Sequence, residues 1–235
     1  MTGGRAEQRA LLVAAAVAAT PLVALLLLLE VQWAPLPRAD HSITRVLTQP
    51  ALHSTGWATL LRDVEIATRG PTWWLLGTVV VGIVALRRRR AQLAAWAALA
   101  AALGSVLNPT LKGLVGRARP VLAQHLTTAS GPSFPSGHAT SSAVGTGVLL
   151  VALLPLLQSR ARRLALAAVG AVAVLAVGLD RVLIGAHWAS DVVGGWSLAA
   201  AALLAAAAVV RPWPAGAPVG SSARPPGTHD HASRA

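Results

Sequence analysis

The clearest chemical content in this chain lies in the pattern Arg181-x5-His187-x3-Asp191. Side chains four apart meet on one face of a helix. A carboxylate on one ring nitrogen fixes the imidazole tautomer and leaves the other nitrogen free to attack. A second cluster, Pro135-Ser136-Gly137-His138, stands directly before an apolar run. Proline suits the first turn of a helix, and the exposed amides of such a turn, with its positive dipole end, make an anion site. Gly137 lets a phosphate approach the backbone closely, Ser136 adds a hydroxyl, and His138 can supply a proton. The third cluster is Lys112-x6-Arg119-Pro120, which contains the chain's one lysine. On a continuous helix this spacing puts the two cations about two turns apart on one face. Two cations projecting together suit a phosphate, which arginine can grip bidentately.

Taken singly, each cluster also fits an ordinary role: a structural histidine, a helix cap, or cations snorkelling to an interface. What sets them apart is position. All three stand at the ends of hydrophobic blocks, where ionisable groups are costly and usually functional.

Those blocks are the elements that must position the clusters. Of 235 residues, 54% are apolar and 12% charged, against about 25% charged in a soluble domain. One block runs from Leu11 to Leu29, and others begin near Thr72, Ala91, Ala139, Leu164 and Trp188. Spanning a bilayer takes roughly 20 mainly apolar residues. The blocks are apolar all round and not striped, as a membrane segment is. The sequence therefore predicts an all-α bundle of six transmembrane helices. Arg5 and Arg9 precede the first block as they would a signal peptide, yet its apolar run is longer than a usual h-region. No small-x-small cleavage site follows Glu30, so a retained helix is expected.

The formal net charge of +12 invites a nucleic-acid reading, but the placement of the arginines opposes it. Arg5 and Arg9, Arg87 to Arg90, Arg160, Arg162 and Arg163, and Arg211 all fall on one side if the blocks span alternately. The positive-inside rule makes that side cytoplasmic. Both termini are then inside, the three clusters lie outside, and no nucleic-acid partner is expected. The absence of cysteine excludes disulfides and thiolate chemistry. Together with the few acidic residues, it argues against a structural zinc site. No metal or cofactor is expected.

Residues 1–10 read as a short cytoplasmic lead, 11–210 as the membrane domain and 211–235, rich in Pro, Gly, Ser and Ala, as a disordered cytoplasmic tail. His229 and His231 in that tail are expected to be solvated. A polar stretch from Gln32 to Gly70 contains an amphipathic segment with Trp57, Leu60, Leu61 and Val64 on one face and Arg62, Asp63 and Glu65 on the other. Pro71 opens the second helix. Trp33, Trp73, Trp74, Trp188 and Trp213 fall at block ends, as an aromatic belt does.

In this order and with these gaps, K-x6-R-P, P-S-G-H and R-x5-H-x3-D resemble the type 2 phosphatidic acid phosphatase family, which also includes vanadium haloperoxidases. The resemblance covers about residues 105 to 195. It implies a six-helix membrane bundle with its active site on the outer face, acting on a membrane lipid phosphate or pyrophosphate without a metal. It also implies roles: His187 as nucleophile forming a phosphohistidine, Asp191 as its orienting partner, and His138 as general acid. Lys112, Arg119 and Arg181 would hold the phosphoryl oxygens, with Ser136 and the Gly137 amide completing the cradle. One departure is Asp180, where the family usually has serine; it could orient Arg181 or weaken its hold on phosphate. The loop from Val121 to Phe134, with Gln124, His125, Thr127 and Thr128, is expected to shape the entrance. Competing readings are a phosphotransferase using the same phosphohistidine, a vanadate haloperoxidase (known ones are soluble), and a non-catalytic scaffold or transporter with a relic site. A relic should have lost a reactive residue, and none is missing.

Overall fold

The computed structural model describes residues 2–88, 90–122, 127 and 129–211. Every regular element among them is helical: α1 (Thr2–Glu30), α2 (Pro35–His53), α3 (Thr55–Ala67), α4 (Gly70–Arg88), α5 (Ala91–Val115), α6 (Gly137–Leu153), α7 (Arg160–Leu183) and α8 (Ala189–Val209). A 3-10 turn, Leu154–Leu156, extends α6. Five of these, α1, α5, α6 with its extension, α7 and α8, are long and apolar enough to cross a membrane. The second apolar block is α4, a 19-residue helix ending in Arg87 and Arg88, and it is not among the five. Because α1 starts at Thr2, the residues expected as a lead form its first turns. The expected tail beyond Arg211, with Trp213, His229 and His231, lies outside the described residues.

The stretch 32–70 holds two helices, where one was expected. Pro35 opens α2, as proline can where no amide partner is needed. Asp40, Thr44 and Thr48, at i, i+4 and i+8, point inward and are buried, while Ile43 and Val46 are exposed. That is the reverse of a helix on a soluble core, so its polar stripe reads as solvent-facing in the sequence. In α3, Leu61 and Glu65 are buried and Trp57 and Leu60 exposed, so the expected apolar face is split. The Ser54 hydroxyl caps α3 by accepting from Trp57 N at 3.3 Å.

At the centre lies α8, packed on α1, α5 and α6; α6 also packs on α4 and α7, and α2 and α3 lie against α7. Small residues make these approaches close, as in membrane bundles generally. A Cβ at Gly195 would stand 2.7 Å from the Ser136 carbonyl oxygen and 3.0 Å from Ala139 Cβ. Pro21 interrupts the donor ladder of α1. Beside it, Ser197 of α8 donates to Ala18 O at 2.5 Å and accepts from Leu22 N at 3.1 Å. Apolar side chains such as Val13, Val17, Leu27, Val106, Val172 and Leu175 face outward, the surface a bilayer would cover. The largest apolar core, with Val81, Leu93, Trp96, Ala100, Val148 and Ala206, fills the end of the bundle away from the three clusters.

Candidate active site

The chain turns sharply after α7, and this turn sets His187. Gly185, at φ 72°, takes the left-handed conformation that favours glycine. Ala186 N and His187 N then both donate to Arg181 O, at 3.0 and 3.1 Å. His187 precedes α8, whose N-cap is Trp188. Asp191 sits in the first turn and accepts from Trp188 N at 2.9 Å through Oδ2. The two side chains meet as expected, with His187 Nδ1 3.4 Å from Asp191 Oδ2, but across a helix cap and not along a helix face.

Arg119 Nη1 lies 3.2 Å from His187 Nε2. A guanidinium can only donate, so this contact requires an unprotonated Nε2 and leaves the ring proton on Nδ1, toward Asp191. Burial pushes His187 down to about 4, with the Arg119 and Lys112 charges adding to the effect and Asp191 opposing it. The ring is therefore neutral at physiological pH, with its lone pair on Nε2.

Lys112 and Arg119 do not share a helix face. Gly116, at φ 61°, ends α5, its amide donating to Lys112 O at 3.0 Å. Pro120 follows, and Arg119 lies in the segment beyond the helix. The cations converge all the same, because both grip one loop. Lys112 Nζ donates to Pro132 O at 2.8 Å and Ser133 O at 3.3 Å. Arg119 donates to the carbonyls of Ser130, Gly131, Pro132 and Ala186. Burial also holds Arg119 below its ordinary value, against the attraction of Asp191 and Glu65.

Ser136 is the N-cap of α6 and Gly137 its first residue. Pro135 therefore lies outside the helix and not in its first turn. The Ser136 hydroxyl accepts from Ala139 N at 3.4 Å and its amide donates to Asp191 O at 2.9 Å; the residue is fully buried. His138 Nε2 lies 3.3 Å from Glu65 O, a contact that needs a proton on that nitrogen, since a carbonyl only accepts.

Arg181 is fully buried and flanked by two carboxylates. Its Nη2 is paired with Asp180 Oδ2, and its Nη1 is 3.3 Å from Glu65 Oε1. Nε and Nη1 nevertheless have no aligned hydrogen-bond partner, and neither has Asp180 Oδ1. Glu65 also accepts from Thr127 Oγ1, at 3.0 and 3.1 Å. Of the expected entrance loop, Gln124, His125 and Thr128 lie outside the described residues.

Sequence reasoning missed a second layer. Arg117 Nη1 donates to Asp191 Oδ1 at 2.6 Å and to Ser190 Oγ at 2.7 Å, while Nη2 donates to Asp40 Oδ2 at 2.7 Å. Asp40 also accepts from Ser190 N at 3.0 Å and Ser190 Oγ at 2.5 Å. Arg117 stacks 5.6 Å from the Trp188 ring, and Trp188 Nε1 donates to Ala118 O at 2.9 Å. A signal was available. The chain has only eight acidic residues, and Asp40, Glu65, Asp180 and Asp191 all come to this site.

A cavity of about 330 Å³ lies beside His138, lined by Gly104, Ser105, Asn108, Pro109, Gly137, His138, Thr140 and Ser141. A second, of about 290 Å³, lies further along α5 and α6 against α4, with Trp73, Gly77, Ala97, Ala101 and Gly145 in its wall. Among the described residues, no three His, Cys, Asp or Glu side chains converge as a metal site would require. A ring nitrogen with a free lone pair, a carboxylate behind it and the Arg119 and Lys112 charges acting on it have the chemistry that phosphoryl transfer requires.

The PAP2 superfamily profile matches residues 93–214. The chain belongs to the PAP2 superfamily. Among its relatives is the decaprenylphosphoryl-5-phosphoribose phosphatase of Mycobacterium tuberculosis (strain H37Rv), 36% identical over 167 residues, covering 70% of this chain and 86% of that protein. Another is phosphatidylglycerophosphatase B of Bacillus subtilis (strain 168), 42% identical over 96 residues; the match spans 40% of this chain and 46% of that protein's length. A crystal structure of a transmembrane PAP2 type phosphatidylglycerolphosphate phosphatase from Bacillus subtilis superposes with a TM-score of 0.63. It is 24% identical, covers 80% of this chain and 92% of that one, and establishes the likeness of fold. With its apolar helices, this PAP2 chain is a multi-pass membrane protein. Phosphatase is the activity that the family and its named relatives support.

Proposed function

We propose that this PAP2 chain hydrolyses a lipid phosphate or pyrophosphate at the membrane surface through a phosphohistidine on His187, without a metal ion. The observation that carries the reading is the placement of His187, with Nε2 facing Arg119 at 3.2 Å and Nδ1 facing Asp191 at 3.4 Å. Arg119 occupies the direction from which phosphorus must approach. A bound phosphoryl group replaces Nε2 as the partner of that guanidinium and gathers Lys112 and Arg181 around its other oxygens. His187 Nε2 then attacks phosphorus, and the bond to the leaving oxygen breaks. The negative charge of the bound substrate favours the imidazolium of His138, which gives that oxygen its proton. Water next attacks the phosphohistidine, yields a proton to His138, and releases phosphate and free His187. Asp191 stays ionised and balances the charge on the His187 ring, as a buried carboxylate does behind other histidine catalysts. Ser136 and the Gly137 amide serve from the N-terminus of α6, Ser136 chiefly by capping it.

The six-helix membrane bundle, α1 with α4 to α8, belongs to this reading, as does its orientation. Arg87, Arg88, Arg160, Arg162, Arg163 and Arg211 lie at the end of the bundle opposite the site, which makes that end cytoplasmic by the positive-inside rule and the site extracytoplasmic. A lipid substrate fits a site at the end of apolar helices, with the cavity beside His138 on the leaving-group side. The relatives' names, one for a phosphatidylglycerophosphate and one for a decaprenylphosphoryl-phosphoribose, support that class.

Phosphate release by the purified protein in detergent tests this. With EDTA present, release from an isoprenoid pyrophosphate, phosphatidic acid or phosphatidylglycerol phosphate should persist. It should fall by on the order of 10⁴-fold or more in His187→Ala. Release that needs added metal, or survives in the variant, would sink the mechanism.

A further inference from the structure

Behind His187 stand two carboxylates where the reaction needs one. Arg117 lies between them, with Nη1 donating to Asp191 Oδ1 at 2.6 Å and Nη2 to Asp40 Oδ2 at 2.7 Å. Both carboxylates are buried, and Arg117 packs over the Trp188 ring. Asp40 comes from α2, and position 40 lies outside the stretch 93–214 that matches the PAP2 profile. Ser190 N and Ser190 Oγ also donate to it, at 3.0 and 2.5 Å. Asp40 is thus a remote cap for α8, but a neutral amide would cap equally well. A buried charge is costly, and Arg117 already has Asp191 as its counter-charge. The second carboxylate is therefore more than capping or ion pairing requires.

Its effect is on Asp191. That side chain spends Oδ1 on Arg117, while Oδ2 accepts from Trp188 N and faces His187 Nδ1 at 3.4 Å. A guanidinium touching a lone carboxylate cancels its charge, and the pair would offer His187 little. Two carboxylates on one guanidinium leave one negative charge in excess, and little water is present to screen it. The excess matters most as His187 Nε2 bonds to phosphorus and the bond to the leaving oxygen breaks. The ring then holds a proton on Nδ1 and phosphorus on Nε2, and is positive.

We propose that Asp40 is a positioning residue for the reaction: by taking up the charge of Arg117, it leaves Asp191 free to support the positive His187 ring. It touches no substrate and exchanges no proton. This rests on the phosphohistidine reading and adds to it a residue from α2.

Asp40→Asn removes the charge but keeps an acceptor for Ser190 N, leaving Arg117 and Asp191 as a neutral pair. It should lower kcat/KM for phosphate release on the order of 10- to 100-fold, the scale on which partners behind a reacting group act. Asp40→Glu keeps the charge and should retain more of the rate than Asp40→Asn. Combining Asp40→Asn with Arg117→Gln restores one negative charge, on Asp191. That double variant should recover most of the lost rate, although it breaks more buried bonds. A purely structural role predicts the opposite order, with the double variant slowest. Inhibition gives a second readout. Vanadate bonds to the ring nitrogen in the geometry of the transferring phosphoryl group, so its Ki should rise in Asp40→Asn in step with the loss in kcat/KM. Inorganic phosphate, held by the surrounding cations, should inhibit as before. An unchanged kcat/KM in Asp40→Asn, a double variant slower than that single one, or equal weakening of vanadate and phosphate would overturn the proposal. If Asp40→Asn does not fold, the double variant decides alone: a rate within about tenfold of wild type supports the proposal, and a greater loss overturns it. Release that survives in His187→Ala would sink the phosphohistidine reading itself, whereas loss there beside an unaffected Asp40→Asn sinks only this inference.

Discussion

At the site end of the bundle, Arg117 joins Asp40 and Asp191 at 2.7 and 2.6 Å, with side chains 11%, 3% and 0% exposed. At the far end, Arg211 reaches Glu7 at 3.1 Å, with side chains 27% and 41% exposed. Both contacts tie together segments far apart in the chain. They differ in what surrounds them. Near Arg117, water is excluded, and each charge relies on its partners: removing one leaves another buried and unpaired. Near Arg211, solvent screens the charges, and adhesion comes from apolar contacts such as Leu93, Trp96 and Ala206 in the adjoining core. One end is held by directed polar bonds that fix angles; the other is held by packing that fixes only distance. The imidazole proposed as nucleophile needs the first kind.

Neutralising the two arginines should break this comparison most sharply. Arg117→Met is expected to lower stability by about 3–5 kcal/mol, whereas Arg211→Met should cost about 0–1 kcal/mol, both read by denaturant titration in detergent. Equal losses would mean that the site end is held by packing as well. Acid sharpens the contrast next. The folded-state value of His187, about 4, lies below the ordinary 6.5, so the unfolded chain binds this proton more readily. The contribution is complete above pH 6.5 and disappears as the pH falls to 4, worth roughly 3 kcal/mol. Wild-type protein should therefore lose that much more stability across this window than His187→Gln, and parallel curves would contradict the burial assigned to the ring. The smallest effects come from glycines. Gly195→Ala pushes a Cβ against the Ser136 carbonyl and Ala139 and should cost about 1–3 kcal/mol. Gly82→Ala, with nothing within 4 Å, should be neutral or gain up to about 1 kcal/mol. A penalty at Gly82 equal to that at Gly195 would remove the distinction between the two ends.

Much of the fold was legible because a bilayer segment announces itself by length and composition. The blocks from Leu11, Ala91, Ala139, Leu164 and Trp188 became α1, α5, α6, α7 and α8; α1 starts at Thr2, well before Leu11, and the starts of the others moved by at most a few residues. Where apolar content was the wrong guide, the reading failed. In α2 the buried stripe is Asp40, Thr44 and Thr48, a polar face that turns inward because Arg117 and Ser190 await it. No local pattern reveals a partner about 80 or 150 positions away. Glu65 was assigned to a solvated face for the same reason, and Arg117 went unnoticed although it shares with Lys112 and Arg119 an end of the bundle where cations are unexpected.

Residue type and order alone singled out the candidate groups: a histidine and a carboxylate four apart, cations where few belong, and a glycine at a helix start. Their mutual geometry was decided by tertiary structure. The Lys112–Arg119 pair converges across a helix end at Gly116, and the His187–Asp191 pair across the cap of α8. The charge state of the site was decided there as well, because Glu65 closes on Arg181 only after α3 packs against α7, whereas Asp180 is already its neighbour along α7. The reason is the range of the forces. Hydrophobic burial in a membrane is written locally, residue by residue, whereas the field at a buried site is summed over side chains that only the fold brings within a few ångströms.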